Sequence, residues 1–415
     1  MKKAERYSYR YLGEGFRVSN DTRQTHLNNN DLVVGSSGSC KTGSIIYTQL
    51  KSLQDSSLIV ADTKGRLAKM FSAELRDKGY VVKTLDLVNP EKSCLYNPLD
   101  YIRKNSDGTY KQQDIARMVE ALFPVKLSGD DPFWELSARS VLELFVDYAL
   151  SALPEEDHNM YAVAKLYRAF ISPTGEGAFV PWIREHPQSL AAKRYYQIKG
   201  MQKADKTLSS IYAFVNVALK IFDYEEYRHV FDPEMPRSRR NREILDIAKL
   251  GTEKSVLFLN ISDSDHSMDI MVNIFYTQAL QTLIAEADQN PDGQLSVPVR
   301  IIMDDFASGA LIPGFDKLIS VVRSRDIWLT LCVQSLTQLE TLYSPSQSLT
   351  IQNNCDHIVY MGSNDLLSAQ LIGTRAKRTP EVILMMDRQK EYVLEAGKPV
   401  SLIPKIPAYS FRAEA

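Results

Sequence analysis

The chain has 415 residues, enough for roughly two or three domain-sized units. Its 44% hydrophobic and 24% charged residues are the balance of an ordinary globular protein, and exclude a disordered or fibrous chain. A net charge of −2 excludes a uniformly basic nucleic-acid coat, though not a local basic channel. Cys40, Cys94, Cys332 and Cys355 are too scattered for a disulfide framework or a metal cluster, and suit a reducing cytoplasm. No run of about 18 apolar residues occurs; the richest, residues 141–153, is broken by Glu143 and Asp147. The first residues precede no apolar segment, so they do not read as a secretory signal.

The first strong feature is Asp-Leu-Val-Val-Gly-Ser-Ser-Gly-Ser-Cys-Lys-Thr-Gly-Ser at residues 31–44. An apolar strand runs into a loop at 35–42, and an amphipathic helix is expected to begin over 43–50. Such a loop aims backbone N–H groups and a helix N-terminus at one spot, which suits a polyphosphate. The candidate cradle is Gly35, Ser36, Ser37, Gly38, Ser39, Cys40, Lys41 and Thr42. Lys41 would reach the β- and γ-phosphates of ATP, and the Thr42 hydroxyl would hold Mg²⁺. The usual pattern, G-x-x-x-x-G-K-[ST], has glycine where this chain has Cys40. A Ser/Gly-rich turn followed by a lysine is the plain alternative, and the flanking strand and helix argue against it.

Further apolar runs at 57–61, 80–84, 255–261, 299–303, 328–333 and 357–361 read as strands buried on both faces of a parallel sheet. Their alternation with helical patterns predicts an α/β doubly wound core. The rhythm stops between residues 110 and 236. There the pattern predicts helices at 113–123, 132–150, 160–170, 189–200 and 206–222. Phe133, Leu136, Val141, Leu144 and Phe145 fall on one expected apolar face. The predicted organisation is a discontinuous nucleotide-binding domain, 1–109 and 237–415, with an all-α domain, 110–236, inserted into it. Arg237, Arg239, Arg240 and Arg242 make the return loop strongly cationic. It is either a solvated connection or a DNA-facing loop.

The run 297–306 ends in Asp304 and Asp305. A buried strand ending in two carboxylates can hold Mg²⁺ through Asp304 and polarise an attacking water through Asp305. Glutamate is commoner as the base, and Asp305 is one methylene shorter. Gln334, at the end of the following strand, is a candidate γ-phosphate sensor or an ordinary strand-end residue.

These features in this order resemble the coupling-protein ATPases of type IV secretion and conjugation, particularly those of Gram-positive mobile elements. The resemblance runs through residues 30–42, Ile59-Val60-Ala61-Asp62-Thr63-Lys64-Gly65, Tyr96-Asn97-Pro98 and Asp131-Pro132-Phe133-Trp134-Glu135. It continues through Asp304-Asp305-Phe306, Ile312-Pro313-Gly314, Arg323-Ser324-Arg325, Gln334-Ser335-Leu336 and Asn353-Asn354-Cys355-Asp356. It implies a RecA-like core with an inserted all-α domain, and homo-hexamers that move DNA and relaxase cargo to a secretion channel. Carried over by position are Lys41 and Thr42 for phosphate and Mg²⁺, Asp304 and Asp305 for metal and water, and Gln334 for sensing. Arg323 is implied as a finger reaching a neighbouring subunit. The implied partners are relaxase or other secreted protein cargo, single-stranded DNA and other secretion components at the membrane. The implied location is cytoplasmic, at the inner face of the membrane, and the family's usual membrane helices are expected to be missing. Cys40 and Asp305 depart from the family pattern. They leave open a hydrolysis-deficient adaptor or receptor that recruits secretion substrates.

Overall fold

The computed structural model describes residues 8–124, 132–172, 176–200, 205–232, 243–306 and 311–411. The strands, in chain order, are β1 (Tyr9–Gly13), β2 (Phe16–Ser19), β3 (Asp31–Val34), β4 (Ser57–Asp62), β5 (Val81–Asp86) and β6 (Ser255–Asn260). They continue with β7 (Val299–Met303), β8 (Ile327–Val333), β9 (His357–Tyr360), β10 (Lys390–Glu395) and β11 (Ser401–Pro404). β1 and β2 form an antiparallel hairpin. The others form one sheet in the order β11-β10-β9-β3-β8-β7-β4-β6-β5. Strands β9 to β5 in that order are parallel, and β10 and β11 add an antiparallel edge.

The seven strands expected from apolar runs are all present, with ends shifted by at most two residues. β3, β4, β6, β7, β8 and β9 are buried at every position, as strands covered on both faces must be. β1, β2, β10 and β11 were not expected. They are short, part-exposed and mixed in polarity, so no continuous apolar run marks them.

The helix after the phosphate loop corrects the amphipathic expectation. It opens with a wide turn over Lys41–Ile46 and continues over Tyr47–Lys51, and Gly43 to Leu50 are all buried. Ile45, Ile46 and Leu50 pack in one cluster with Leu12 of β1 and Val33 and Val60 of the sheet. The unforeseen hairpin therefore removes the solvent face the pattern implied.

A buried polar cluster anchors this hairpin. Arg10 of β1 donates to Asp31 at 3.0 Å and to Asn20 and Asn29. Arg300 of β7 donates to the same Asp31 at 3.0 Å. His357 of β9 lies against Arg10 at 3.1 Å. Burial disfavours ionised Asp31, but Arg10, Arg300 and His357 outweigh it and hold the carboxyl below its ordinary range.

Between β5 and β6 the described chain is mainly helical, with Gln112–Leu122, Phe133–Ala152, Met160–Ile171, Glu176–Glu185, Leu190–Gly200 and Asp205–Leu219. Glu176–Glu185 was not expected, and it carries Pro181 in its interior. The proposed apolar face of Phe133–Ala152 is buried at Val141, Leu144 and Phe145, but Phe133 and Leu136 are exposed. Helical spacing says which residues share a side, not how far along the helix the covering partners reach. The four-arginine loop and Asp131 lie outside the described residues. Among the described residues, no helix is long and apolar enough to cross a membrane.

Candidate nucleotide site

The sheet order places the carboxyl ends of β3, β8 and β7 side by side, and the predicted phosphate loop begins where β3 stops. Gly35 N–H donates to Val333 at 3.0 Å, and Ser36 N–H donates to Gly362 at 2.9 Å. The loop is thus pinned between β8 and the end of β9. A methyl group at Gly35 would lie 2.4 Å from the Ser39 hydroxyl, so the close approach requires glycine. Lys41 is buried, and its Nζ curls back to donate to Gly35 O at 2.6 Å and Ser36 O at 3.4 Å. The ammonium stands over the loop where a polyphosphate would lie. Cys40 holds a left-handed backbone, φ 71° and ψ 24°, the conformation that glycine usually supplies.

Asp304 and Asp305 follow β7. The Thr42 hydroxyl donates to Asp304 Oδ2 at 2.8 Å. Burial raises the Asp304 pKa and the Asp305 charge adds to the rise; Thr42 and Lys41 oppose it. Asp305 is in the left-handed region at φ 49°. Gln334 Nε2, at the end of β8, donates to Asp305 Oδ1 at 3.4 Å. Beside them is a cavity of 250 Å³, lined also by Thr63, Asp263, His266 and Asp269. The residues present suit Mg²⁺ with a polyphosphate: an oxygen-donor pair, a buried cation and a loop of N–H donors.

Other predicted residues lie elsewhere. Arg323 is exposed, and its Nη2 donates to the His26 carbonyl at 3.0 Å. It precedes β8 in a parallel sheet, so within one chain it sits at the end opposite the phosphate loop. Arg325 pairs with Asp288 at 2.8 Å. Tyr96 is buried and donates to Gln278 at 2.5 Å, while Asn97 donates to the His158 carbonyl, so Tyr96-Asn97-Pro98 ties the helical region to the core. Asp62 caps the helix Leu67–Asp77 by accepting from Arg66 N–H and Ala68 N–H, both at 3.0 Å.

Sequence reasoning missed Lys405. Its Nζ donates to Ser39 O at 3.2 Å and Met361 O at 2.8 Å, joining the residue after β11 to the phosphate loop. Burial lowers its pKa and Glu391 opposes that shift. No motif surrounds Lys405, so nothing near it in the chain signals this role. His266 and Asp269 were missed for the same reason; they pair at 3.1 Å at the rim of the cavity.

Plasmid coupling protein TrwB, solved with ADP and Mg²⁺, is similar in fold: TM-score 0.70 at 16% identity, covering 100% of this chain and 92% of that one. The same protein with a non-hydrolysable ATP analogue gives 0.68 at 14% identity, with coverages of 100% and 92%. VirB4 of Thermoanaerobacter pseudethanolicus gives 0.54 at 13% identity, with 96% of both chains covered. No curated protein sequence matches. The family described as "Type IV secretory system Conjugative DNA transfer" matches residues 3–376, and the chain belongs to that family.

Proposed function

We propose that this chain is the ATP-driven coupling protein of a conjugative type IV secretion system, recruiting relaxase–DNA or protein cargo and moving it towards the secretion channel. The observation that carries the reading is the 2.8 Å bond from Thr42 to Asp304, made under a loop whose lysine is already turned inward. ATP would lie in residues 35–42 with Lys41 against its β- and γ-phosphates. Mg²⁺ would sit between Thr42 and Asp304, where it would offset charge on the phosphates. Asp305 would hold the attacking water, and Gln334, bonded to it, would sense the γ-phosphate. Residues 110–236 would be the inserted unit that recruits cargo. A homo-hexamer at the inner face of the membrane would enclose single-stranded DNA, with Arg323 reaching across the subunit boundary. TrwB, solved with ADP and Mg²⁺, supports this choice of cofactor.

ATP turnover measured with and without single-stranded DNA tests the reading. DNA-stimulated turnover that is lost in Lys41→Ala is the expected result. Tight ATP binding with no turnover under either condition would favour the second reading, a non-hydrolysing adaptor. The left-handed backbone at Asp305, joined to a carboxylate shorter than glutamate, favours that alternative.

A further inference from the structure

After β11 the chain returns to the phosphate loop. Lys405 bonds there, Ile406 is buried, and Ala408 and Tyr409 lie on the first turn of the loop helix. Tyr409 N–H donates to Gly43 O at 3.0 Å. The Tyr409 ring meets Tyr47 edge-on, with centroids 5.5 Å apart and planes at 82°. Phe411 closes the segment against Tyr11 at 4.8 Å. The contact is tightest at Gly43, where a methyl group would lie 2.8 Å from Ala408 Cβ and 3.1 Å from the Tyr409 ring.

Tyr409 is unusual in two ways. Its backbone is left-handed at φ 59°, which is strained for a bulky residue. Its side chain gains little burial in return, since the residue is 51% exposed. Core packing therefore does not account for the conformation. The strained backbone holds an aromatic ring half in solvent beside the phosphate loop.

A nucleotide with its terminal phosphates in residues 35–42 leaves the loop past the residue after Thr42, because the phosphate chain runs along the helix N-terminus. That residue is Gly43. Asp304 lies on the β8 and β7 side of the loop, so ribose and base would emerge on the other side, towards β9, β10 and β11, where the segment after β11 stands. We infer that Tyr409 is the aromatic platform on which the base of the bound nucleotide stacks, and that residues 405–411 form the base subsite. The inference rests on the nucleotide reading of the loop. A ring face meets the π-face of any purine, so the subsite should hold adenine and guanine comparably.

The test is titration of wild type, Tyr409→Ala and Tyr409→Phe with ATP, GTP and inorganic triphosphate, each with Mg²⁺. Tyr409→Ala should weaken ATP and GTP by about 5- to 150-fold, the equivalent of stacking one base. Its triphosphate affinity should equal that of wild type, which also shows the loop to be folded. Tyr409→Phe should keep wild-type affinity for all three. Unchanged ATP affinity in Tyr409→Ala would overturn the platform. So would an equal loss for triphosphate, which would make the segment a mere support, or tighter ATP binding, which would make it a cover. If wild type bound neither ATP nor triphosphate, or Lys41→Ala bound both as well as wild type, the nucleotide reading would fall and take the subsite with it.

Discussion

The Thr42 hydroxyl donates to the Asp304 carboxylate at 2.8 Å across 262 positions of sequence. Thr42 stands in the first turn of the helix that follows β3 and its loop, and Asp304 directly follows β7; β3 and β7 are separated only by β8. Buried beside Asp305, Asp304 holds its proton more readily than an ordinary carboxyl, and a bound cation would reverse that. Thr42→Val and Asp304→Asn should each lower Mg²⁺-dependent ATP turnover on the order of 100-fold or more, while Thr42→Ser retains most of it. A Mg²⁺ titration of turnover checks this. Wild-type turnover by Thr42→Val would remove the hydroxyl from metal binding.

Cys40→Gly should stabilise the phosphate loop. The left-handed backbone at Cys40 costs a non-glycine residue about 1–2 kcal/mol. Glycine's larger loss of freedom on folding offsets about 0.5–1 kcal/mol of the gain. The expected outcome is a higher thermal midpoint and up to about tenfold tighter ATP binding. Equal or weaker binding in a nucleotide titration would show that the loop has adapted to cysteine.

Glu391 makes stability depend on pH. It is fully buried in β10, and neither carboxylate oxygen has a hydrogen-bond partner. Burial pushes its pKa up to about 8, with Lys405 pulling the other way. Between its ordinary 4.5 and 8 the folded chain binds a proton that the unfolded chain releases. Stability therefore falls as pH rises through that window, by at most about 1.4 kcal/mol per pH unit. Glu391→Gln should gain on wild type steadily from about pH 5 to about pH 8 in chemical denaturation. Parallel curves for the two proteins would contradict this.

Asp31→Asn should be severely destabilising. It removes the carboxylate from two buried guanidinium groups, Arg10 and Arg300, each bonded to it at 3.0 Å. Breaking a buried pair from one side costs about 3–5 kcal/mol. In wild type the depressed pKa means this stability is present above the ordinary value of 3.8 and is lost as pH falls through the native value. Urea midpoints of the two proteins at neutral pH provide the measurement. A shift worth less than about 1 kcal/mol would show the cluster relaxing around the loss.

Arg323 should act only between subunits, because within the chain it sits at the far end of the sheet from the phosphate loop. Arg323→Ala should bind ATP normally and lose assembly-dependent turnover by roughly 10³-fold. Mixed with Lys41→Ala under conditions that promote rings, it should recover part of the activity, since some interfaces then join an intact loop to an intact arginine. No recovery in demonstrably mixed rings would leave Arg323 a surface charge.

Seven strands, most of the helices and the phosphate loop were legible in the sequence, because each is written in adjacent residues. Apolar runs such as Val-Leu-Phe-Leu in β6 need burial on both faces, and Lys41-Thr42 after a glycine-rich turn has few other uses. The short mixed strands β1, β2, β10 and β11 carry no such local signal. Their place is settled by partners far along the chain, such as Arg10 with Asp31. The loop helix reads as amphipathic because its second cover, the hairpin, cannot be inferred from its own residues. By itself the sequence determined which chemical groups this protein owns and where the apolar strands, most of the helices and the phosphate loop lie. Only the tertiary structure decided which groups meet. Sheet order and parallel register bring Thr42 to Asp304 and send Arg323 to the opposite end, and the antiparallel edge β10–β11 returns Lys405 to Ser39 across 366 positions. Such contacts are selected by the packing of the whole chain, and no local pattern encodes them.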